Sequence, residues 1–196
     1  MSTTTPEARV RKVVLYTLMS LDGAVDDPLR YFPPSQGAGE VPEFDHVMID
    51  NEERIIGTQD TVLLGRRMYD EWSQFWPTAD DEPFARFINP VKKYVVTSTP
   101  LSHQWHNAEA ADGPIEDLVR DLKARPGGDI GVHGSIQLAQ SMLAAGLVDE
   151  LQLVVGPVFG CPGRRLFENA SPARRLALLS ATPTPSSSTL LAYRVL

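Results

Sequence analysis

Four short stretches carry residue types suited to ligand chemistry, and each sits where an apolar run ends. Ser20-Leu21-Asp22-Gly23 closes the first run. Its glycine permits a turn with positive φ and lets the backbone approach a flat ligand closely. Gly65-Arg66-Arg67-Met68 opens a helical stretch, where free N–H groups and a forked arginine donor suit an anion, notably phosphate. Thr97-Ser98-Thr99 sets three hydroxyls at a strand end. His133-Gly134-Ser135-Ile136-Gln137 puts a glycine at a helix opening, in the manner of a pyrophosphate cradle, although neither G-x-G-x-x-G nor a P-loop is present.

Each stretch also has a plainer reading. Asp22-Gly23 fits an ordinary turn, Arg66 and Arg67 fit a solvated surface pair, and hydroxyls before Pro100 initiate turns. What gives them weight is recurrence at matching strand ends, the edge where open α/β sheets bind ligands.

The elements that must position them follow from periodicity. Arg11 to Thr17 is rich in β-branched and aromatic residues and predicts a first strand buried on both faces. The loop from Ser20 to Glu40 is long for a connector and is a candidate lid. Phe44, Met48, Ile55 and Ile56 share one helical face, so a helix is expected over 41–56 with Pro42 near its start. Thr61 to Leu64 reads as a strand, Gly65 as its turn, and Arg66 to Trp72 as a helix. A strand follows around Tyr94-Val95-Val96-Thr97 and stops at Pro100. Ile115, Leu118, Val119 and Leu122 define a helix behind Asp112 and Gly113 as N-cap candidates. Asp129 to His133 reads as a strand, Ser135 to Ala145 as a helix closed by Gly146, and Leu151 to Val155 as a strand. The runs 176–181 and 189–196 form a terminal hairpin. Strands alternating with helices imply a largely parallel sheet covered on both sides.

Composition narrows the function classes. The 196 residues form one domain's worth of chain, with 42% hydrophobic and 22% charged residues, which excludes a mainly disordered protein. A formal charge of −7 offers no positive field for nucleic acid or anionic lipid. The run from Val13 to Met19 is too short to span a membrane. One cysteine, Cys161, permits neither an internal disulfide nor a cysteine-based zinc site and fits the cytoplasm. H-E-x-x-H, G-x-S-x-G and C-x-x-C are all missing, which removes the usual supports for zinc hydrolysis, an α/β-hydrolase triad or dithiol redox chemistry. Asp80-Asp81-Glu82 reads as solvated loop charge, and Asn169-Ala170-Ser171 matches a glycosylation sequon.

Taken together, Ser20-Leu21-Asp22-Gly23, Leu63-Leu64-Gly65-Arg66-Arg67-Met68-Tyr69, Lys93-Tyr94-Val95-Val96-Thr97-Ser98 and the stretch from Asp129 to Phe167 resemble the dihydrofolate-reductase-like family. The type example is the C-terminal reductase domain of the bacterial riboflavin-biosynthesis enzyme. The resemblance covers nearly the whole chain. It implies a single domain over 1–196, with residues 1–9 disordered, in a three-layer α/β/α fold whose mixed, mostly parallel sheet ends in a C-terminal β-hairpin. It also implies NADPH as cofactor and hydride transfer to a pteridine- or pyrimidine-like heterocycle, the cofactor carrying the hydride.

Carried over by position, Gly65, Arg66, Arg67 and Met68 would hold the 2′-phosphate and pyrophosphate, with Arg66 on the 2′-phosphate. Ser98 and Thr99 would lie beside the adenosine, and Gly134, Ser135, Ile136 and Gln137 against the pyrophosphate and ribose. Leu18 and the loop of Ser20, Asp22 and Gly23 would border the nicotinamide and substrate. Met68 stands where the family often has threonine, so one hydroxyl contact is missing. A carboxylate on the helix before Gly65 would be the proton donor, and Asp50 has about the right separation; water or substrate can also supply the proton. The chain would be a stand-alone relative lacking the deaminase domain. It would act in the cytoplasm on a small molecule, as a homodimer like many related domains. Two alternatives stay open. One is the 5-amino-6-(5-phosphoribosylamino)uracil reductase of riboflavin synthesis, whose substrate phosphate would need Arg164 or Arg165. The other is a nucleotide-binding module without turnover.

Overall fold

A computed structural model describes residues 10–32, 44–79, 83–168 and 172–196. The expectations for residues 1–9, Pro42, Asp80-Asp81-Glu82, Asn169-Ala170-Ser171 and the second half of the 20–40 loop lie outside the described residues.

Among the described residues eight strands form one sheet: β1 (Val13–Ser20), β2 (Gln59–Gly65), β3 (Lys92–Val96), β4 (Ala108–Ala111), β5 (Asp129–His133), β6 (Glu150–Gly156), β7 (Leu176–Pro183) and β8 (Thr189–Val195). Their spatial order is β4-β3-β2-β5-β1-β6-β8-β7. The first six of that order run parallel, and β8 and β7 add the antiparallel hairpin at one edge. The helices are α1 (Pro28–Tyr31), α2 (His46–Ile56), α3 (Arg66–Phe75), α4 (Pro83–Ile88), α5 (Ile115–Lys123) and α6 (Ile136–Ala145).

Two-residue alternation along the strands separates two apolar layers. Val13 and Leu15 of β1, with Leu63, Ile130 and Val132, pack against Val119 and Leu122 of α5 and Leu138 and Met142 of α6. Val14 and Tyr16 point the other way, toward Met48 and Ile55 of α2. On that same side Val62, Leu64 and Val95 meet Tyr69 of α3 and Phe84 and Ile88 of α4. The result is a three-layer α/β/α domain, as the sequence implies.

Differences from the sequence reading are local. Helix α2 starts at His46, because the Asp45 side chain caps it by accepting the N–H groups of Val47 and Met48 at 2.9 and 3.1 Å. Helix α5 is capped by Pro114 and not by Asp112 or Gly113, since Asp112 Oδ1 is spent on the Gly113 N–H at 2.9 Å. Strand β4 escaped notice because Ala108–Ala111 contains no β-branched or aromatic residue. Helix α4 is only six residues long.

Among the described residues no helix is long and apolar enough to cross a membrane.

Candidate active site

The carboxyl ends of β1, β2 and β5 open into a cleft of about 1340 Å³, walled by α2, α3, α4 and α6. Part of its wall is formed by two helix starts. Helices α3 and α6 begin without a side-chain cap, so their first N–H groups are open to an anion. The two starts are tied together, Gly65 donating its N–H to Ser135 Oγ at 2.8 Å. Gly134 adopts a positive φ of 65°. A Cβ there would come within 2.9 Å of Met68 Cε and of Trp72, so α3 lies directly on this turn.

Arg66 lines the cleft with its guanidinium already engaged. Nε donates to both oxygens of Asp70 at 2.8 and 2.9 Å, and Nη1 donates to Thr99 Oγ1 at 2.6 Å and the Pro100 carbonyl at 2.7 Å. Ser102 donates to Asp70 Oδ1 at 2.5 Å. That bond, and then the Arg66 contact, hold the Asp70 carboxyl below its usual range despite some desolvation. Arg67 is exposed and pairs with Glu71 at 3.1 Å.

A further stretch of the wall is aromatic. Trp72, Trp76 and Phe84 line it, with centroid separations of 4.9 to 5.8 Å. His133 lies 5.3 Å from Phe84 and 5.7 Å from Tyr16, ring to ring. Burial pushes the imidazole down to about 3, so the ring is neutral. Its Nε2 meets Gln59 Oε1 at 2.8 Å. The pair folds back over Gly131, where a Cβ would fall 2.0 Å from Gln59 Oε1. The Tyr16 hydroxyl lies beside Glu52 without a well-formed hydrogen bond. Burial first, and the Glu52 charge second, raise its pKa well above the ordinary value.

Of the residues singled out from sequence, Leu18, Gly65, Arg66, Arg67, Met68, Gly134, Ser135, Ile136 and Gln137 line this cleft together. Thr99 touches it through Arg66, and Ser98 is exposed outside it. Ser20, Asp22, Gly23 and Arg165 come together, but elsewhere. Ser20 Oγ donates to Asp22 Oδ1 at 2.6 Å, and Asp22 Oδ2 receives Arg165 at 3.0 Å and the Gly160 N–H at 3.1 Å. Gly23 makes the positive-φ turn expected of it, at 85°. This clasp joins two loops and is not part of the cleft lining. Arg164 does line the cleft, paired with Asp26, whose carboxyl is held low chiefly by that arginine.

Asp50 is exposed and outside the lining, whereas Glu52 of the same helix is within it. Met48, Glu52 and Ile55 recur at i, i+4 and i+7, a pattern that puts Glu52 on the helix face buried against the sheet. Tyr16, Trp72, Trp76 and Phe84 were also missed as lining residues. The spacing of Trp72 and Trp76 by four was the available signal for one shared face.

Residues 11–189 match the model of the RibD C-terminal domain. The chain belongs to this family. It is 26% identical to the uncharacterized protein YyaP of Bacillus subtilis over 96% of this chain and 97% of that one. A Shewanella protein assigned provisionally to riboflavin biosynthesis superposes with a TM-score of 0.68 at 19% identity, over 94% of this chain and 99% of the other. Enterococcus faecalis dihydrofolate reductase, solved in complex with NADP(H) and RAB-propyl, gives 0.58 at 14% identity, over 94% and 96%. At these identities the two structures establish the fold, which is dihydrofolate-reductase-like with the antiparallel hairpin β7–β8 at its edge.

Proposed function

We propose that this member of the RibD C-terminal domain family is an NADPH-dependent reductase acting on a small planar heterocycle of pteridine or pyrimidine type. The observation that carries the reading is one cleft whose wall joins two uncapped helix starts to an aromatic cluster around a neutral His133.

The residues present fit a dinucleotide. The N–H groups at the starts of α3 and α6 would hold the pyrophosphate, and Ser135, its acceptor lone pair given to Gly65, keeps an O–H to donate. Arg66 would take the 2′-phosphate by exchanging Thr99 and Pro100 for phosphate oxygens. Leu18 and Thr17 line the same cleft. The cofactor, when bound, supplies the hydride. This chain orients the acceptor ring, excludes water with Trp72, Trp76 and Phe84, and holds a proton nearby. We assign that last role to Glu52, beside Tyr16, in place of Asp50.

A phosphoribosylamino-pyrimidine is the alternative substrate. Arg164 favours it by lining the cleft, although Asp26 already neutralises that arginine. A homodimer acting in the cytoplasm is part of the same proposal, and the exposed leucines of β7 support the pairing of two chains.

Titration with NADPH and NADH, followed by NADPH oxidation across pterins, dihydrofolate and flavin precursors, tests the reading. Saturable NADPH binding with turnover of one class upholds it. Binding without turnover of any class favours the non-catalytic module, and the cofactor assignment falls if neither dinucleotide binds at millimolar concentration.

A further inference from the structure

Buried polar atoms without a protein partner are rare in folded chains, and each calls for an explanation. Three lie on residues lining the cleft: His133 Nδ1, Trp76 Nε1 and the Tyr16 hydroxyl, which has Glu52 beside it. His133 is 2% exposed, so bulk water does not serve its free nitrogen. Its other nitrogen is committed to Gln59 Oε1 at 2.8 Å. With the proton on Nε2 donated to that carbonyl oxygen, Nδ1 keeps its lone pair and accepts. The indole N–H of Trp76 only donates.

The first two share one compartment. Trp76 and His133 both pack on Phe84, with ring centroids 4.9 and 5.3 Å from it, and Trp72 lies 5.4 Å from the same ring. Flat apolar walls with one buried acceptor and one buried donor among them describe a slot for a flat molecule. Glu52 and Tyr16 bound the compartment on the α2 side, and the carboxylate there disfavours an anionic ring.

We propose that this compartment reads the edge of an uncharged, planar lactam, whose ring N–H donates to His133 Nδ1 and whose carbonyl accepts from Trp76 Nε1–H. The proposal rests on the reductase reading and narrows it: a charged or phosphorylated substituent points away from the slot, toward Arg164 and Arg67. His133 and Trp76 then set which heterocycles enter, by the hydrogen bonds an analogue fails to make.

The test uses the full chain saturated with NADPH and two probes, lumazine and 1,3-dimethyllumazine, with binding read by calorimetry. The dimethyl compound keeps the carbonyl acceptors and lacks the ring N–H donors. Lumazine should bind about tenfold tighter or more, the scale of one buried hydrogen bond left unmade. His133→Leu should bring that ratio close to one. Trp76→Phe, which keeps a ring and removes the N–H, should weaken both probes by roughly the same factor, about five- to tenfold. Equal affinity of the native chain for the two probes overturns the proposal, as does a ratio that survives His133→Leu. If His133→Leu does not fold, Trp76→Phe decides alone, and unchanged affinity in it overturns the proposal. Binding of NADPH without binding of lumazine removes this inference and leaves the cofactor reading standing. Failure to bind NADPH removes the reading itself.

Discussion

Ser135 accepts the Gly65 N–H through its hydroxyl at 2.8 Å, which fastens the starts of α3 and α6 to each other across the ends of β2 and β5. The two helix starts therefore present their N–H groups as one surface. Ser135→Ala leaves a part-buried N–H without its partner, and we expect a loss of about 1–2 kcal/mol in stability. NADPH affinity should fall as well, by calorimetry, because the surface loses its fixed spacing. Unchanged affinity with reduced stability would restrict Ser135 to a purely structural part.

Arg66 is the second place where cofactor chemistry can be tested. Arg66→Ala should weaken NADPH by about tenfold or more while NADH changes by about threefold or less, the loss of a charge-assisted contact to phosphate. Equal losses for the two dinucleotides, measured by fluorescence titration, would take the 2′-phosphate role away from this residue.

Gly131 leaves the room in which Gln59 and His133 meet. A Cβ at that position would fall 2.0 Å from Gln59 Oε1 and 2.7 Å from His133 Nε2. Gly131→Ala should destabilise the fold by about 1–3 kcal/mol through overpacking. Adding Gln59→Ala should recover part of that loss, and a double-mutant cycle with no coupling would contradict the contact.

Acid sensitivity follows from His133. Its folded-state pKa lies at about 3, against about 6.5 in an unfolded chain. Between those values the unfolded chain binds the extra proton, so stability rises with pH and falls by about 1.4 kcal/mol for each unit of acidification. Above the unfolded pKa this contribution is constant. Urea unfolding between about pH 4 and 6.5 should show the slope in the native chain and a shallower one in His133→Leu. Identical slopes would mean that His133 is not held neutral.

The β7 edge gives a prediction about assembly. Leu176, Leu178 and Leu179 are 40%, 57% and 46% exposed on a strand whose second edge has no partner strand among the described residues. Such an edge is a template for pairing. Light scattering should give the mass of two chains, and Leu178→Lys should shift it toward one. A native chain with the mass of one copy would refute the pairing.

Local signals carried most of the cleft lining. A glycine before a helix, an arginine beside it and a small polar residue at a helix start are short-range patterns, and Gly65, Arg66, Gly134 and Ser135 were legible for that reason. Two kinds of information were not local. The choice between Asp50 and Glu52 depends on how α2 is rotated, since two residues differ by about 200° around a helix of 3.6 residues per turn. The partnership of Asp22 with Arg165 joins loops far apart in the chain, and sequence alone shows two plausible ligand-binding side chains where the fold makes an ion pair. The fold class was clear because apolar periodicity is strong in nearly every element. Strand β4 and helix α4 are short, and their assignment depends on what they pack against.

Strand β1 is made first on the ribosome, yet both of its neighbours come late: β5 at Asp129–His133 and β6 at Glu150–Gly156. The centre of the sheet therefore cannot close until the chain has been made through Glu150–Gly156. Pairings so distant in sequence form slowly, because a long loop must be ordered before the contacts reward it. Until then Val13, Val14 and Leu15 remain an unpaired apolar segment, open to non-native contacts.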